Sequence, residues 1–116
     1  MNLVVDASVL IKFFIPEILS EKAERLNARA SQGDLMLFAP DLIFAEVGNI
    51  LWKKHRLKEL TRSEAEEITE TIVSLPLKIE ASKTLLPLAM DIGLAYGITV
   101  YDAIYVSLAK IHETTV

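Results

Sequence analysis

Three acidic residues lie within or beside apolar stretches of the sequence, where a carboxylate is unexpected. Asp6 ends a short apolar run just before Ser8, and Asp102 begins the most apolar of the predicted helices. Glu46 interrupts a row of apolar residues that recur every four positions and so share one face of a helix. A carboxylate in apolar surroundings is unfavourable unless a positive charge compensates it. Asp6, Glu46 and Asp102 are therefore the candidate chemical groups of this chain.

Three carboxylates that meet at one place favour a shared cation. Neighbouring carboxylates raise each other's pKa unless a positive ion lies between them. The sequence has no cysteine, and oxygen ligands from Asp and Glu suit Mg²⁺ or Mn²⁺. One such ion can lower the pKa of an attacking water while a second stabilises the leaving oxygen. The three positions together predict a Mg²⁺ or Mn²⁺ site that hydrolyses phosphodiester bonds.

Each acid also has a simpler explanation when it is taken alone. Asp6 or Ser8 is a suitable residue to cap the helix that follows. Glu46 can pair with Lys53 at the edge of its helix, and Asp102 is favoured at a helix start by the helix dipole. These alternatives stay open for the single residues, whereas the combination favours a site.

The elements that must position these residues alternate between strands and helices. The predicted strands cover residues 2–6, 35–39, 77–79 and 98–100, and the predicted helices cover residues 8–14, 20–33, 41–54, 61–74, 83–96 and 102–112. This order predicts an α/β fold, a central parallel sheet with helices packed around it, in one domain over residues 1–116. Ligands of such sheets bind at the carboxyl ends of the strands. We therefore expect Asp6 and Asp102, each after a strand, at the same edge of the sheet.

Composition restricts the classes of protein that fit. The chain has 116 residues, 52% of them hydrophobic, which excludes a disordered chain and leaves some apolar surface for a partner subunit. The net charge of −4 argues against broad electrostatic capture of nucleic acid. No targeting segment is visible, and the longest uncharged apolar stretch, residues 92–101, is too short to span a bilayer. We expect a cytoplasmic protein without a membrane partner.

Three segments of the chain resemble the motifs of PIN domains, specifically the small VapC-type toxin ribonucleases of prokaryotic toxin–antitoxin pairs. The segments are Val4–Ser8, Pro40–Val47 and Gly97–Ala109. The resemblance implies a three-layer α/β/α fold with an acidic pocket at one edge of the sheet. It also implies Mg²⁺- or Mn²⁺-dependent cleavage of single-stranded RNA, a homodimer, and inhibition by a cognate antitoxin protein.

Carried over position by position, the resemblance assigns the metal-binding and catalytic acids to Asp6, Glu46 and Asp102. Ser8 matches a hydroxyl position that lines the same pocket. The family also carries a fourth acid in a Thr-x-Asp segment on a last strand. Residues 114–116 resemble only the beginning of that strand. Either the strand is missing or the sequence is truncated within it, and we favour truncation.

A dense basic run follows the helix of Glu46. It comprises Lys53, Lys54, His55, Arg56 and Lys58. Lys53 in this run, together with Lys12, is a candidate contact for RNA phosphates, although a basic helix end is also ordinary.

Two other functions remain as alternatives to the nuclease. One is a non-catalytic PIN-like module that binds a partner protein or RNA without cutting it. A phosphohydrolase with Asp6 as nucleophile is less favoured, because Ser8 stands where such enzymes carry a second aspartate.

Overall fold

The computed structural model describes residues 2–12, 28–29, 32–33 and 35–113 of the chain. Three strands and five helices lie within these residues: β1 (Asn2–Val4), α1 (Ala7–Lys12), β2 (Met36–Pro40), α2 (Leu42–Arg56), α3 (Arg62–Ser74), β3 (Leu77–Glu80), α4 (Ser82–Tyr96) and α5 (Val100–Ile111). Most of the predicted helix at 20–33, the end of the predicted helix at 8–14 and the predicted strand start at 114–116 lie outside the described residues.

The three described strands form one parallel sheet in the order β1-β2-β3, with β2 in the middle. Val4 lies opposite Phe38 on the first pair of strands, and Ala39 lies opposite Ile79 on the second. Parallel pairing requires a crossover between successive strands, and helices supply it here. The short strand predicted at 77–79 is thus confirmed as an integral member of the sheet.

Two hydrophobic cores lie on opposite faces of this sheet. Neighbouring residues of one strand point to opposite faces, so Val5 belongs to the first core and Val4 to the second. The first core is built with side chains from α1, α2 and α3, among them Leu10, Ile43 and Ile68. The second is built with side chains from α4 and α5. Helices therefore cover both faces of the sheet, in a three-layer α/β/α arrangement.

Local polar contacts fix where several helices begin. Thr61 and Glu64 form a reciprocal capping box at the start of α3, with the Thr61 hydroxyl accepting from Glu64 N and Glu64 accepting from Thr61 N. The start of α4 is held from a distance. The carboxylate of Asp41, which follows β2, accepts hydrogen bonds from the backbone N–H and the hydroxyl of Ser82. This contact joins the start of α2 to the start of α4.

The predicted strand at 98–100 is wrong. α4 ends at Tyr96 and is capped by Gly97, which adopts a left-handed φ of 66°, and only three residues separate α4 from Val100, the first residue of α5. Thr99 caps α5, because its hydroxyl accepts a hydrogen bond from Asp102 N at 3.2 Å. Asp102 therefore lies in the first turn of α5 and does not follow a strand.

The turn between α4 and α5 is tight. A Cβ atom placed on Gly93 would come within 3.2 Å of the carbonyl oxygen of Ile98, so a side chain at this position would crowd the returning backbone.

Among the described residues, no single helix is long and apolar enough to cross a membrane. α4 and α5 meet that criterion only as a pair, and the pair is bent by 114°.

Candidate active site

Asp6 lies at the junction between β1 and α1 and caps the helix. Its Oδ1 accepts a hydrogen bond from the backbone N–H of Val9 at 2.9 Å and another from the hydroxyl of Ser8 at 3.0 Å. The simple explanation of Asp6 as a capping residue is therefore correct for this oxygen. In the part of the chain that the structure describes, the other oxygen has no hydrogen-bond partner. Asp6 is thus oriented by one oxygen and open at the other.

Glu46 lies on the first core's side of the sheet, in the second turn of α2. Its Oε1 accepts a hydrogen bond of 2.5 Å from the hydroxyl of Tyr105, a residue of α5. No ion pair joins Glu46 to Lys53 within the described residues, so the pairing considered from the sequence is not formed. Like Asp6, Glu46 is held through one carboxylate oxygen.

Asp6 and Glu46 face the same open pocket, which has a volume of about 270 Å³. The described residues that line it come from α1 and α2: Asp6, Ala7, Ser8, Glu46, Asn49 and Ile50. The structure thus brings together three of the six predicted site residues, two acids and the serine hydroxyl. Asp102, Lys12 and Lys53 are not among the residues that line the pocket.

Asp102 lies on the helix that carries Tyr105. It is exposed in the first turn of α5, three residues before Tyr105, and residues three apart share one face of a helix. Among residues 2–12, 28–29, 32–33 and 35–113, no three His, Asp or Glu side chains are close enough to hold one ion. The described arrangement is therefore a pair of carboxylates with a third acid on the adjoining helix.

Tyr105 is the site residue that the sequence did not reveal. Burial raises the pKa of its hydroxyl above the usual tyrosine range, and the hydrogen bond to Glu46 and the negative charges of Glu46 and Asp6 raise it further. The hydroxyl consequently stays protonated and acts as a hydrogen-bond donor. Its spacing of three residues from Asp102 was the available signal, but an aromatic residue in an apolar helix is ordinarily interpreted as core packing.

The donor set of the pocket fits a small divalent cation. Two carboxylates, a hydroxyl from Ser8 and the amide of Asn49 supply only oxygen and nitrogen donors. Mg²⁺ keeps several waters and needs only one or two carboxylates from the protein, with further ligands from substrate phosphates. Asp6 and Glu46, each with a free oxygen, can satisfy this requirement.

A larger concavity lies elsewhere, between α2 and α3. It has a volume of about 560 Å³ and includes Leu51, Trp52 and Ala65 in its lining. We call it the Trp52 groove. Trp52 is 56% exposed, and the guanidinium of Arg56 lies 5.2 Å from the centre of its ring. The groove contains none of the predicted site residues.

Comparison with known proteins identifies the class to which this fold and pocket belong. The PIN domain family profile matches residues 3–116, and the chain therefore belongs to the PIN-domain family. Ribonuclease VapC3 of Pyrobaculum aerophilum is 39% identical over 112 residues, which are 95% of this chain and 82% of the relative.

A solved structure gives the same fold. The crystal structure of PAE2754 from Pyrobaculum aerophilum superimposes with a TM-score of 0.69 at 26% identity, covering 94% of this chain and 67% of the other. The predicted resemblance to PIN-domain, VapC-type ribonucleases and the predicted three-layer α/β/α fold are confirmed.

Proposed function

We propose that the protein is a divalent-metal-dependent endoribonuclease that cleaves single-stranded RNA as the toxin of a toxin–antitoxin pair. The observation that carries the proposal is the pair of carboxylates, Asp6 and Glu46, which come from distant segments and face one pocket. Each is oriented by donors on one oxygen. Its 39% identity to a protein named ribonuclease VapC3 supports the same activity.

The acids of the site are assigned to binding the cation. Asp6 and Glu46 would hold Mg²⁺ or Mn²⁺, with Asp102 as the third acid at the start of α5 and Ser8 contributing a hydroxyl. The cation, when bound, makes a water more acidic and neutralises charge on the phosphate. The protein residues fix the carboxylates in place, and the open pocket admits the RNA backbone.

Lys53 and Lys12 are proposed contacts for RNA phosphates outside the pocket. Lys53 is exposed and lies seven residues after Glu46, so the two side chains share one face of α2 at a spacing of about 10 Å. Within the described residues Lys53 has no ion-pair partner and its charge is available. Lys12 is the last residue of α1, the helix that Asp6 caps.

A partner subunit and an antitoxin protein complete the proposal. The outer face of α4 carries exposed apolar side chains at a four-residue spacing, Leu86, Met90 and Leu94, which supports burial against a second copy of the chain. A cytoplasmic location is part of the same proposal, because the proposed RNA substrate and antitoxin would be met there.

The proposal is tested by RNA cleavage with Asp6→Asn. We expect the wild-type protein to cut single-stranded RNA in the presence of Mn²⁺ or Mg²⁺, because both ions suit the pocket's oxygen donors. A chelator should abolish the cleavage because it removes the ion. Asp6→Asn should lose cleavage because an amide oxygen binds the cation less well than a carboxylate. Asp91→Asn, an exposed acid of α4, is the matched control and should cut normally.

Full metal-dependent cleavage by Asp6→Asn would contradict the proposal. A wild-type protein that binds RNA but neither cuts it nor binds Mn²⁺ in calorimetry would instead be a non-catalytic binding module.

A further inference from the structure

We propose that Tyr105 is a positioning residue for Glu46, and that its hydroxyl holds the Glu46 carboxylate with one oxygen directed at the cation site. This inference rests on the proposed function and adds a residue to it. Tyr105 lies outside the lining of the pocket and would act on the site through Glu46.

The contact between the two residues is short and joins distant parts of the sequence. Tyr105 is only 7% exposed and belongs to the second core. Leu42, one turn before Glu46 on α2, packs against that same core. The hydrogen bond of 2.5 Å between Tyr105 and Glu46 joins residues 59 positions apart in the sequence. In the described structure it is the one hydrogen bond that the Glu46 side chain makes.

The hydrogen bond restricts rotation of the Glu46 side chain, which would otherwise oppose metal binding. A glutamate on an exposed helix face rotates about three side-chain bonds, and ordering it on metal binding costs conformational entropy. A donor fixed to Oε1 orders the carboxylate in advance and leaves Oε2 unoccupied in the described structure. Asp6 shows the same arrangement, with Ser8 and Val9 donating to Oδ1 only. Both acids are thus preorganised in the same way.

The same hydroxyl joins α5 to α2. Asp102 lies three residues before Tyr105 on α5, so the helix whose hydroxyl orients Glu46 also carries the third proposed acid. Tyr105 is thus connected to two of the three proposed ligands, one by direct contact and one along its own helix.

The test compares Tyr105→Phe with Tyr101→Phe. The first variant removes the hydroxyl and keeps the buried ring, and the second removes the same atom from a 64% exposed tyrosine on the same helix. Loss of a group that orients a metal ligand typically weakens metal affinity or activity by about 10- to 100-fold. We expect Tyr105→Phe to lose Mn²⁺ affinity in calorimetry and kcat by this range, with KM for RNA unchanged at saturating metal. Tyr101→Phe should match the wild type.

A double variant separates positioning from a general structural effect. In a Glu46→Ala background the hydroxyl has no side chain to orient, so adding Tyr105→Phe should change Mn²⁺ affinity no further. An equal additional loss in that background would contradict the inference. So would a Tyr105→Phe variant that binds Mn²⁺ and cuts RNA as the wild type does. A wild-type protein that neither binds Mn²⁺ nor cuts RNA would contradict the proposed function instead.

Proton NMR of the wild-type protein tests the inference without any variant. The hydrogen bond from the buried Tyr105 hydroxyl to the Glu46 carboxylate should slow exchange of the hydroxyl proton with water, so that the proton NMR spectrum of the wild-type protein shows its signal. Assignment by selective tyrosine labelling should trace it to Tyr105, and its absence would contradict the inference.

Discussion

The acidic pocket and the Trp52 groove, both lined by described residues, lie on opposite faces of α2, and they differ in the contacts that hold their side chains. Glu46, Asn49 and Lys53 follow one face of α2 at helical spacing and face the acidic pocket or its surroundings. A second set at the same spacing, Gly48, Leu51, Trp52 and His55, lines the Trp52 groove. The groove has about twice the volume of the pocket.

The polar contacts of the two regions differ in how far they reach along the sequence. Polar contacts in the groove stay local, such as the ion pair between Arg62 and Glu66 one turn apart on α3 and the contact of His55 with the carbonyl of Leu60. The acidic pocket instead depends on a hydrogen bond that joins α2 to α5 across 59 positions. This long-range contact is one reason why we propose the smaller concavity as the active site.

Acid-to-amide substitutions on the two faces test this comparison most severely. Glu46→Gln should reduce metal-dependent RNA cleavage by more than about 100-fold, because the loss of a ligand exceeds the loss of a group behind it. Glu70→Gln, at the rim of the groove, should retain wild-type activity. The initial rate of cleavage measures both variants. Equal losses would mean that the pocket is no more important than the groove.

A smaller effect is expected at the basic end of α2. Lys53→Ala should raise KM for RNA several-fold and reduce the salt dependence of binding by about one unit of slope, as expected for one lost phosphate contact. Its kcat should stay near the wild-type value because Lys53 lies outside the pocket. Lys83→Ala, on α4 in the opposite layer, is the control. A fall in kcat without a change in KM would contradict the assignment.

The smallest effect on activity is expected at the cap of α3, a wall of the groove. Thr61→Ala removes the hydroxyl that accepts from Glu64 N at 3.1 Å, and the free energy of unfolding should fall by about 1 kcal/mol. Denaturant titration measures this loss. Cleavage should not change below the unfolding transition, since α3 does not line the acidic pocket.

The Glu64 half of this cap also has a pH dependence of known sign. Hydrogen bonds from the backbone and side chain of Thr61 lower the pKa of Glu64 from its ordinary 4.5. The resulting stabilisation is present above pH 4.5 and is lost as the pH falls through the lowered pKa. In Glu64→Gln, stability should lose this part of its acid dependence.

Sequence patterns predicted most elements because their boundaries are chemically marked. The capping box at Thr61 predicted α3, and Gly97 predicted the end of α4, where the structure shows a left-handed glycine. The alternation of strands and helices predicted the fold class, and the apolar surroundings of Asp6 and Glu46 selected two acids that share the pocket. These features depend on residues close together in sequence.

What the sequence did not predict depends on distant contacts. Residues 98–100 are apolar and β-branched, but a strand needs a neighbour to pair with, and Thr99 instead caps α5. Tyr105 lies in an apolar helix and is expected to pack in the core, and only the hydrogen bond from its hydroxyl to Glu46 distinguishes it from other core residues. The assignment of Asp102 as a ligand stays a prediction that metal titration of Asp102→Asn can test.

The distribution of the pocket over two cores has a consequence for synthesis on the ribosome. Asp6 caps α1 and Glu46 lies on α2, two helices that pack in the first core, whereas the hydroxyl that orients Glu46 belongs to the second core and lies later in the chain. A growing chain therefore lacks the donor that orients Glu46 until α5 has been synthesised. We expect metal-dependent cutting to begin only once both cores have folded.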